Sequence, residues 1–97
     1  MSEDHHERLS FLDRPLPASF VLRVVTVAPA TVRVFQDSDW HDALVVIESG
    51  RIELETFKGT RRGFAAGDVL CLKGLSVRAL HNLGSEPAVL AAVSRRP

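Results

Sequence analysis

The sequence predicts an all-β protein, a barrel or sandwich of short strands, and three observations support this prediction. Apolar and polar residues alternate with a period of two along much of the chain after Ser19. β-Branched and aromatic residues are frequent in the same stretches, as is typical of strands. Turn signals that contain glycine or proline separate these stretches at short, regular intervals. We therefore expect one β-domain over residues 19–97, with seven or eight strands.

The predicted strands follow one another closely. In chain order they are FVLRVVTV, TVRVFQ, ALVVI, RIELETF, DVLCL, SVRALHN and AVLAAVS. The segment KGTRRG (58–63) is expected to be a solvated hairpin turn. EPAVLAAV is the one ambiguous run, because alanine also favours helices. We interpret it as the last strand, and no segment predicts a long helix.

Residues 1–18 are polar and contain the proline-punctuated segment DRPLPA. They predict an extended or partly disordered N-terminal arm. The arm lacks the apolar run of a signal peptide. No stretch of the chain approaches the roughly 18 apolar residues that a membrane helix needs. The expected location is therefore the cytoplasm.

The charge and the size of the chain limit the kinds of partner that can be expected. Twelve basic and twelve acidic side chains cancel, so no net field attracts nucleic acid or an anionic membrane, and neither is an expected partner. A chain of 97 residues forms a modest core. The apolar strand FVLRVVTV would be an open edge in a monomer. Trp40 is expected to face opposite to Asp39 and His41, at a dimer interface or in the core, or else as a lid of the pocket, and an outward Trp40 would favour a dimer. We expect a homodimer.

Cys71 is the single cysteine, which excludes an intrachain disulfide and a cysteine-rich zinc site. It lies in the apolar segment DVLCL. A free cysteine in such a segment usually behaves as a small buried hydrophobic residue. The expected role is a buried, inert thiol.

Two stretches resemble the cupin family. The first is ALVVIESGRIELE, which is similar to the strand–glycine–strand unit that closes the family's first motif. The second is FAAGDVLCLKGLSVRALHNLGSEPAVLAAVS, which is similar to the second motif and the strand after it. The resemblance covers about half of the chain. It implies a double-stranded β-helix, a small jelly-roll barrel that often dimerises, with a pocket inside that holds a divalent metal in many members.

The residues at the family's metal-ligand positions depart from the motif. The two first-motif histidines fall at Asp37 and Asp39, or at Gln36 and Ser38 with a longer spacer, the glutamate falls at Ala43, and the second-motif histidine falls at Arg78. Asn82 matches the family's asparagine. Arginine cannot become a ligand and repels a cation. The departure predicts a barrel without a metal cofactor.

A displaced divalent-metal site is an alternative. Asp37, Asp39 and His41 are two residues apart, so on a strand they would share one face. Two carboxylates and an imidazole suit manganese, iron, zinc or nickel. The other readings of this segment are a solvated loop that enters a strand and a metal-free polar pocket.

The leading functional hypothesis is a metal-free barrel that binds a small, anionic organic molecule. Alternation in SVRALHN puts Arg78, Leu80 and Asn82 on one face. The resemblance implies that this is the inner face, because Arg78 and Asn82 hold the family's second-motif histidine and asparagine positions. Arg78 would be the anchor inside an otherwise apolar cavity. The candidate ligand-binding residues are Arg78, Asp37, Asp39, His41, Asn82, Val45 and Ile47.

Two other functions stay open. In a cupin-type isomerase, cyclase or dioxygenase acting on a small organic acid, His41 would be the general base or acid. An aspartate would orient His41, and Arg78 would stabilise an enolate or carboxylate. The third hypothesis is a sensory or structural dimer whose barrel is filled by side chains.

Overall fold

The computed structural model describes residues 10–12, 15–34, 40, 42–72 and 76–96. These residues form eight β-strands. In chain order the strands are β1 (Phe20–Val27), β2 (Thr31–Val34), β3 (Leu44–Ser49), β4 (Arg51–Thr56), β5 (Arg61–Ala65), β6 (Val69–Cys71), β7 (Val77–Asn82) and β8 (Ala88–Arg95). The all-β prediction is confirmed.

The strands form two antiparallel four-stranded sheets. The first sheet has the order β1-β8-β3-β6, and the second has the order β2-β7-β4-β5. Every pair of consecutive strands except β4 and β5 is split between the two sheets. The chain therefore passes back and forth between two layers, which is the arrangement of a jelly roll. Within the described residues, no helix is long and apolar enough to cross a membrane.

One apolar cluster lies between the sheets. Its members are Val27, Trp40, Ala43, Val45, Ile47, Ile52, Leu54, Leu70, Leu72, Val77, Leu80, Ala88, Leu90 and Ala92. Trp40 belongs to this cluster and is buried, so of the positions expected for it, interface, core or pocket lid, it occupies the core. The outward orientation that was one reason to expect a homodimer is wrong.

The alanine-rich run at the end of the chain is strand β8, as predicted. It pairs with β1 along one side and with β3 along the other. Ala88, Ala91 and Ala92 are buried there. Two ladders of hydrogen bonds hold the segment extended and outweigh the intrinsic preference of alanine for a helix.

Strand β5 begins inside the segment that the sequence predicted as a turn. Arg61–Gly63 pair with Glu53–Glu55 of β4, so the turn is limited to the residues before Arg61. Two arginines and a glycine carry no strand signal. The pairing with β4 fixes them, and β5 lies at the edge of the second sheet, where charged side chains remain in water.

Part of the N-terminal arm contacts the first sheet. The Ser10 hydroxyl donates to Glu48 Oε1 (2.7 Å), and the Phe11 N–H donates to Glu48 Oε2 (2.9 Å). These bonds tie Ser10 and Phe11 to strand β3. The boundary between arm and barrel at residue 18 stays a prediction.

Cys71 is exposed, which corrects the expectation of a buried thiol. On the short strand β6, Leu70 faces the core and the residues on both sides of it are exposed. Alternation therefore turns Cys71 to the outer face of the first sheet. The segment DVLCL is apolar on both faces, so the sequence alone did not show which face is covered.

Candidate functional site

A cleft of about 520 Å³ opens on the outer face of the second sheet. Its lining residues are Arg51, Ile52, Glu53, Gly63, Phe64, Ala65, Asp68, His81, Leu83 and Gly84. Because Ile52 and Leu54 point into the core, alternation turns Arg51, Glu53 and Glu55 outward. The cleft is therefore outside the barrel, on the face that the core does not use.

Strand register brings the polar residues of the cleft together. Glu53 of β4 lies opposite His81 of β7 on one side and opposite Gly63 of β5 on the other. Arg51 lies opposite Ala65 in the neighbouring row. The cleft thus spans three strands.

Gly63 creates the hollow. A Cβ added at Gly63 would meet no atom within 4 Å, so the space above this residue is open. Ala65, two residues further, has only a methyl group. The absence of side-chain volume on this edge strand leaves a depression beside the longer side chains of Arg51, Glu53 and His81. Its volume falls within the range of small-molecule sites.

The charged groups of the cleft differ in how they are paired. Glu53 Oε1 lies 2.6 Å from Arg61 Nε, so this carboxylate is neutralised. Asp68 Oδ2 accepts a hydrogen bond from the Ala65 N–H (2.8 Å). Arg51 and Asp68 form no ion pair with any described residue. The exposed Arg51 guanidinium is therefore available to a ligand.

A histidine–glutamate pair borders the cleft. His81 Nε2 lies 2.7 Å from Glu55 Oε1, and Arg78 Nη1 lies 4.0 Å from Glu55 Oε2. The hydrogen bond from His81 lowers the pKa of Glu55 most, partial burial opposes this shift, and the positive charge of Arg78 adds to it. Glu55 is held in its charged form and orients the imidazole.

The lowered pKa of Glu55 predicts a stability difference that depends on pH. The pKa of the folded state lies below the ordinary value of 4.5, so Glu55 stabilises the fold above that pH and loses this contribution as acid protonates it. Glu55→Gln should be less stable than the wild type near neutrality, and the gap should shrink below about pH 4.5. Urea unfolding of both proteins across this range measures the gap. A gap that is constant with pH would contradict the assignment.

Arg78 does not point into the barrel, so the predicted anchor is wrong in its orientation. Thr56 pairs with Val77 and Glu55 pairs with Ala79, so Arg78 is the extra residue of a β-bulge. The bulge breaks the alternation, and the Arg78 side chain is 61% exposed beside Glu55.

Asn82 keeps the inward position that alternation predicted, but its amide serves the fold. The side-chain N–H₂ donates to the carbonyls of Val27 (2.9 Å) and Glu86 (2.8 Å), and Oδ1 accepts from the Gly84 N–H (2.9 Å). Asn82 is 1% exposed. Both donors are used and the group is out of reach of solvent, so these bonds disfavour its predicted role as a ligand contact.

Val45 and Ile47 face the interior as expected, but they do not line an open cavity. They are 1% and 0% exposed and belong to the apolar cluster. Neither borders the cleft on the second sheet. The part of the interior that contains them is packed with side chains.

Asp37, Asp39 and His41 lie outside the described residues, so their predicted roles in binding, catalysis or metal coordination stay predictions. At the other two family ligand positions, Ala43 is buried in the core and Arg78 faces outward. Neither offers a ligand atom to the interior, and these two residues do not fit the family's metal site. No group of three histidine, cysteine, aspartate or glutamate side chains among the described residues could hold a metal ion.

The cleft was not predicted from the sequence. Alternation in RIELETF puts Glu53 and Glu55 on the face opposite to Ile52 and Leu54, and the structure shows that this face points away from the core. Nothing in the sequence showed that His81, 26 positions after Glu55, lies beside it. The open space over Gly63 depends on the same register, which no local pattern encodes.

The fold has well-defined structural neighbours. A cupin 2 conserved barrel domain protein from Salinispora arenicola superposes with a TM-score of 0.66 at 28% identity, over 90% of this chain and 71% of that chain. The cupin 2 domain of an XRE-family transcriptional regulator from Enterobacter cloacae gives a TM-score of 0.63 at 22% identity, over 81% of this chain and 83% of that domain.

A third neighbour is a metalloprotein. Oxalate decarboxylase from Bacillus subtilis, described with Mn(II) centres, gives a TM-score of 0.59 at 25% identity; the match covers 79% of this chain and 22% of the enzyme. No protein-family model matches the sequence, and comparison with curated proteins gives no match. With two antiparallel four-stranded sheets around one core and these neighbours, the chain has the jelly-roll fold of the cupin 2 domain proteins, as the resemblance predicted.

Proposed function

We propose that this chain is a small-molecule-binding domain and that the ligand occupies the cleft on the outer face of the second sheet. The observation that carries the proposal is the open space over Gly63 beside an Arg51 guanidinium with no ion-pair partner among the described residues. The packed surroundings of Val45 and Ile47 disfavour the barrel interior as the site. A filled interior is also what a short chain needs for stability.

The expected ligand is a small organic molecule with a carboxylate group. A guanidinium forms paired, charge-assisted hydrogen bonds with a carboxylate, which fix its orientation as well as its affinity. Leu83, which is 69% exposed, provides an apolar wall at the same site. This combination of one charged anchor and an apolar contact is common in small-molecule sites.

Gly63→Leu is the variant that tests this site. Gly63 has no positive φ and no neighbour in the way of a side chain, so the variant should fold normally while leucine fills the hollow. Isothermal titration calorimetry with a panel of small carboxylates should show that the affinity falls at least about tenfold in this variant. Val34→Leu, at an exposed site on the opposite edge of the same sheet, is the matched control and should bind as the wild type does. Equal binding by Gly63→Leu and the control would rule out the cleft.

Two arginine variants separate the proposed anchor from the one that the sequence suggested. Arg51→Met should weaken carboxylate binding by about 2 kcal/mol, the scale of a lost charge-assisted hydrogen bond. Arg78→Met should leave binding unchanged, because Arg78 does not line the cleft. The opposite ranking would return the anchor to Arg78.

Catalysis on a small organic acid is a second candidate function, and the Glu55–His81 hydrogen bond favours it. A carboxylate that orients an imidazole is a common arrangement for general acid–base chemistry. His81 would take the role that the sequence suggested for His41. Turnover of a compound that binds the cleft, lost in His81→Gln with affinity retained, would establish this function. Binding without turnover in the wild type would exclude it for that compound.

We also expect a homodimer, formed through the outer face of the first sheet. Register aligns two apolar rows across all four strands: Leu22, Val93, Leu44 and Cys71 in one, and Val24, Ala91, Val46 and Val69 in the other. Val24 is 51% exposed, and Leu22, Leu44 and Val69 are also exposed. Val46 and Ala91, in the middle of the second row, are already buried within this chain. The exposed apolar side chains around them, next to the open edge of β1, suit a second copy of the same surface.

The homodimer predicts a mass of twice 10.7 kDa in light scattering at micromolar concentration. Val24→Glu places a charge among the exposed apolar side chains of the edge strand β1 and should give a monomer that stays folded, because Val24 is outside the core. A wild-type protein that remains monomeric at high concentration would exclude this assembly.

A further inference from the structure

We infer that the ligand of the cleft carries an ammonium group as well as a carboxylate, and is thus a small zwitterion with an aliphatic side chain. This inference rests on the proposed binding function and specifies its ligand. It is carried by two charges of opposite sign that line the same cleft and have no ion-pair partner among the described residues.

The backbone positions of both charged residues are defined relative to Ala65. Arg51 is the register partner of Ala65 across the β4–β5 ladder. The Asp68 carboxylate folds back onto the Ala65 N–H with its Oδ2 atom (2.8 Å). The Ala66 N–H donates to the Gly50 carbonyl (3.1 Å), which ties the turn after β5 to the start of β4. The two charges therefore project from a fixed backbone.

Asp68 retains an unused acceptor. Its hydrogen bond to Ala65 occupies Oδ2, and Oδ1 has no partner among the described residues. The other carboxylate of the cleft, Glu53, is already paired with Arg61. A cationic group in the cleft would thus find its partner at Asp68.

The charge pattern selects against ligands with a single charge. A simple carboxylate would pair with Arg51 but would lie near the negative charge of Asp68. A simple amine would pair with Asp68 and lie near the positive Arg51. Selectivity of this kind comes from repulsion as much as from attraction. A zwitterion satisfies both residues, and an aliphatic side chain would rest against Leu83.

Four compounds with closely related skeletons test the inference on the 97-residue chain. They are leucine, 4-methylpentanoate, 3-methylbutylamine and the uncharged 4-methylpentanamide. Titration calorimetry should show leucine binding about tenfold more tightly than the carboxylate, the scale of one additional charge-assisted hydrogen bond. The amine and the amide should bind more weakly still.

Two variants assign the charges. Asp68→Asn keeps an acceptor for the Ala65 N–H and removes the charge, so leucine should lose its advantage while 4-methylpentanoate binds at least as well as before. Arg51→Met should weaken both leucine and 4-methylpentanoate. Arg78→Met, outside the cleft, is the control and should change neither affinity.

The outcomes distinguish the inference from the function on which it rests. If leucine and 4-methylpentanoate bind equally, and Gly63→Leu weakens both, the ammonium site is excluded and the binding function stands. If 4-methylpentanoate binds more tightly than leucine, Asp68 does not bind an ammonium group and the inference is wrong. If none of the four compounds binds at millimolar concentration, or Gly63→Leu leaves their binding unchanged, the inference and the proposed function are both overturned.

Discussion

Replacing Gly50 with alanine should destabilise the protein by about 3 kcal/mol, measured as the free energy of unfolding in urea. Gly50 has a φ of +81°, in the left-handed region that residues with a Cβ avoid. A Cβ at this position would also lie 2.6 Å from the Pro87 carbonyl oxygen and 2.7 Å from Ala88 Cα. These contacts are with backbone atoms, which cannot move aside as a flexible side chain can. The turn joins β3 of the first sheet to β4 of the second, so strain there disturbs both sheets.

Gly59→Ala is the matched control. Gly59 has a φ of +88°, close to that of Gly50, but no atom lies within 4 Å of its Cβ position. This variant should lose only the backbone preference, about 1 kcal/mol. The difference between the two variants isolates the steric contribution of the contact with the start of β8. Equal destabilisation would mean that the turn is not packed against Pro87 and Ala88.

Asn82→Ala should destabilise the protein by about 3 kcal/mol, again measured by urea unfolding. The substitution removes both side-chain donors and leaves the carbonyls of Val27 and Glu86 and the N–H of Gly84 without these bonds. The cost is large because the bond to the Val27 carbonyl is buried, so water cannot replace that partner, while the other two bonds are partly buried. The side chain links the β7–β8 turn to the end of β1.

Ser85→Ala is the control in the same turn. Ser85 is exposed, and its substitution should change the free energy of unfolding by less than about 0.5 kcal/mol. If Asn82→Ala were as mild as Ser85→Ala, the hydrogen bonds of Asn82 would not hold the turn. The amide would then be free for the ligand contact that the sequence suggested.

Most of the fold could be predicted from local pattern. Alternation predicted strands such as RIELETF and put the apolar Ile52 and Leu54 on one face, which the structure shows to be the core face. The Gly50 turn was visible because a positive φ favours glycine. β5 was missed because its residues have no strand preference of their own and are held by their neighbour β4.

The candidate site was harder to predict because it depends on register. A bulge at Arg78 reversed the face of that side chain, and an uninterrupted alternation had placed it inside. Asn82, two residues beyond Leu80, followed the alternation correctly. Its hydrogen bonds to Val27 and Glu86 required the positions of β1 and the following turn. The direction of most side chains could therefore be predicted from the sequence, but their contact partners could not.

There is a physical reason why the interior is filled with side chains and the candidate site lies on an outer face. A short chain that left its barrel hollow would give up much of its limited apolar core. Val45, Ile47 and Leu90 fill that space instead. The outer face of the second sheet carries Arg51, Glu53 and His81, whose polar groups cost little there because they remain near water. A binding site on this face leaves the core intact.

The most direct test of the central claim is to map ligand contacts residue by residue. Amide resonances of ¹⁵N-labelled protein, followed by NMR during titration with a small carboxylate or zwitterion, report where the compound binds. Binding at the cleft predicts the largest shifts at Gly63, Ala65 and Gly84, and small shifts at Val45 and Ile47. The largest shifts at Val45 and Ile47, with Gly63 unchanged, would place the ligand inside the barrel and contradict the account.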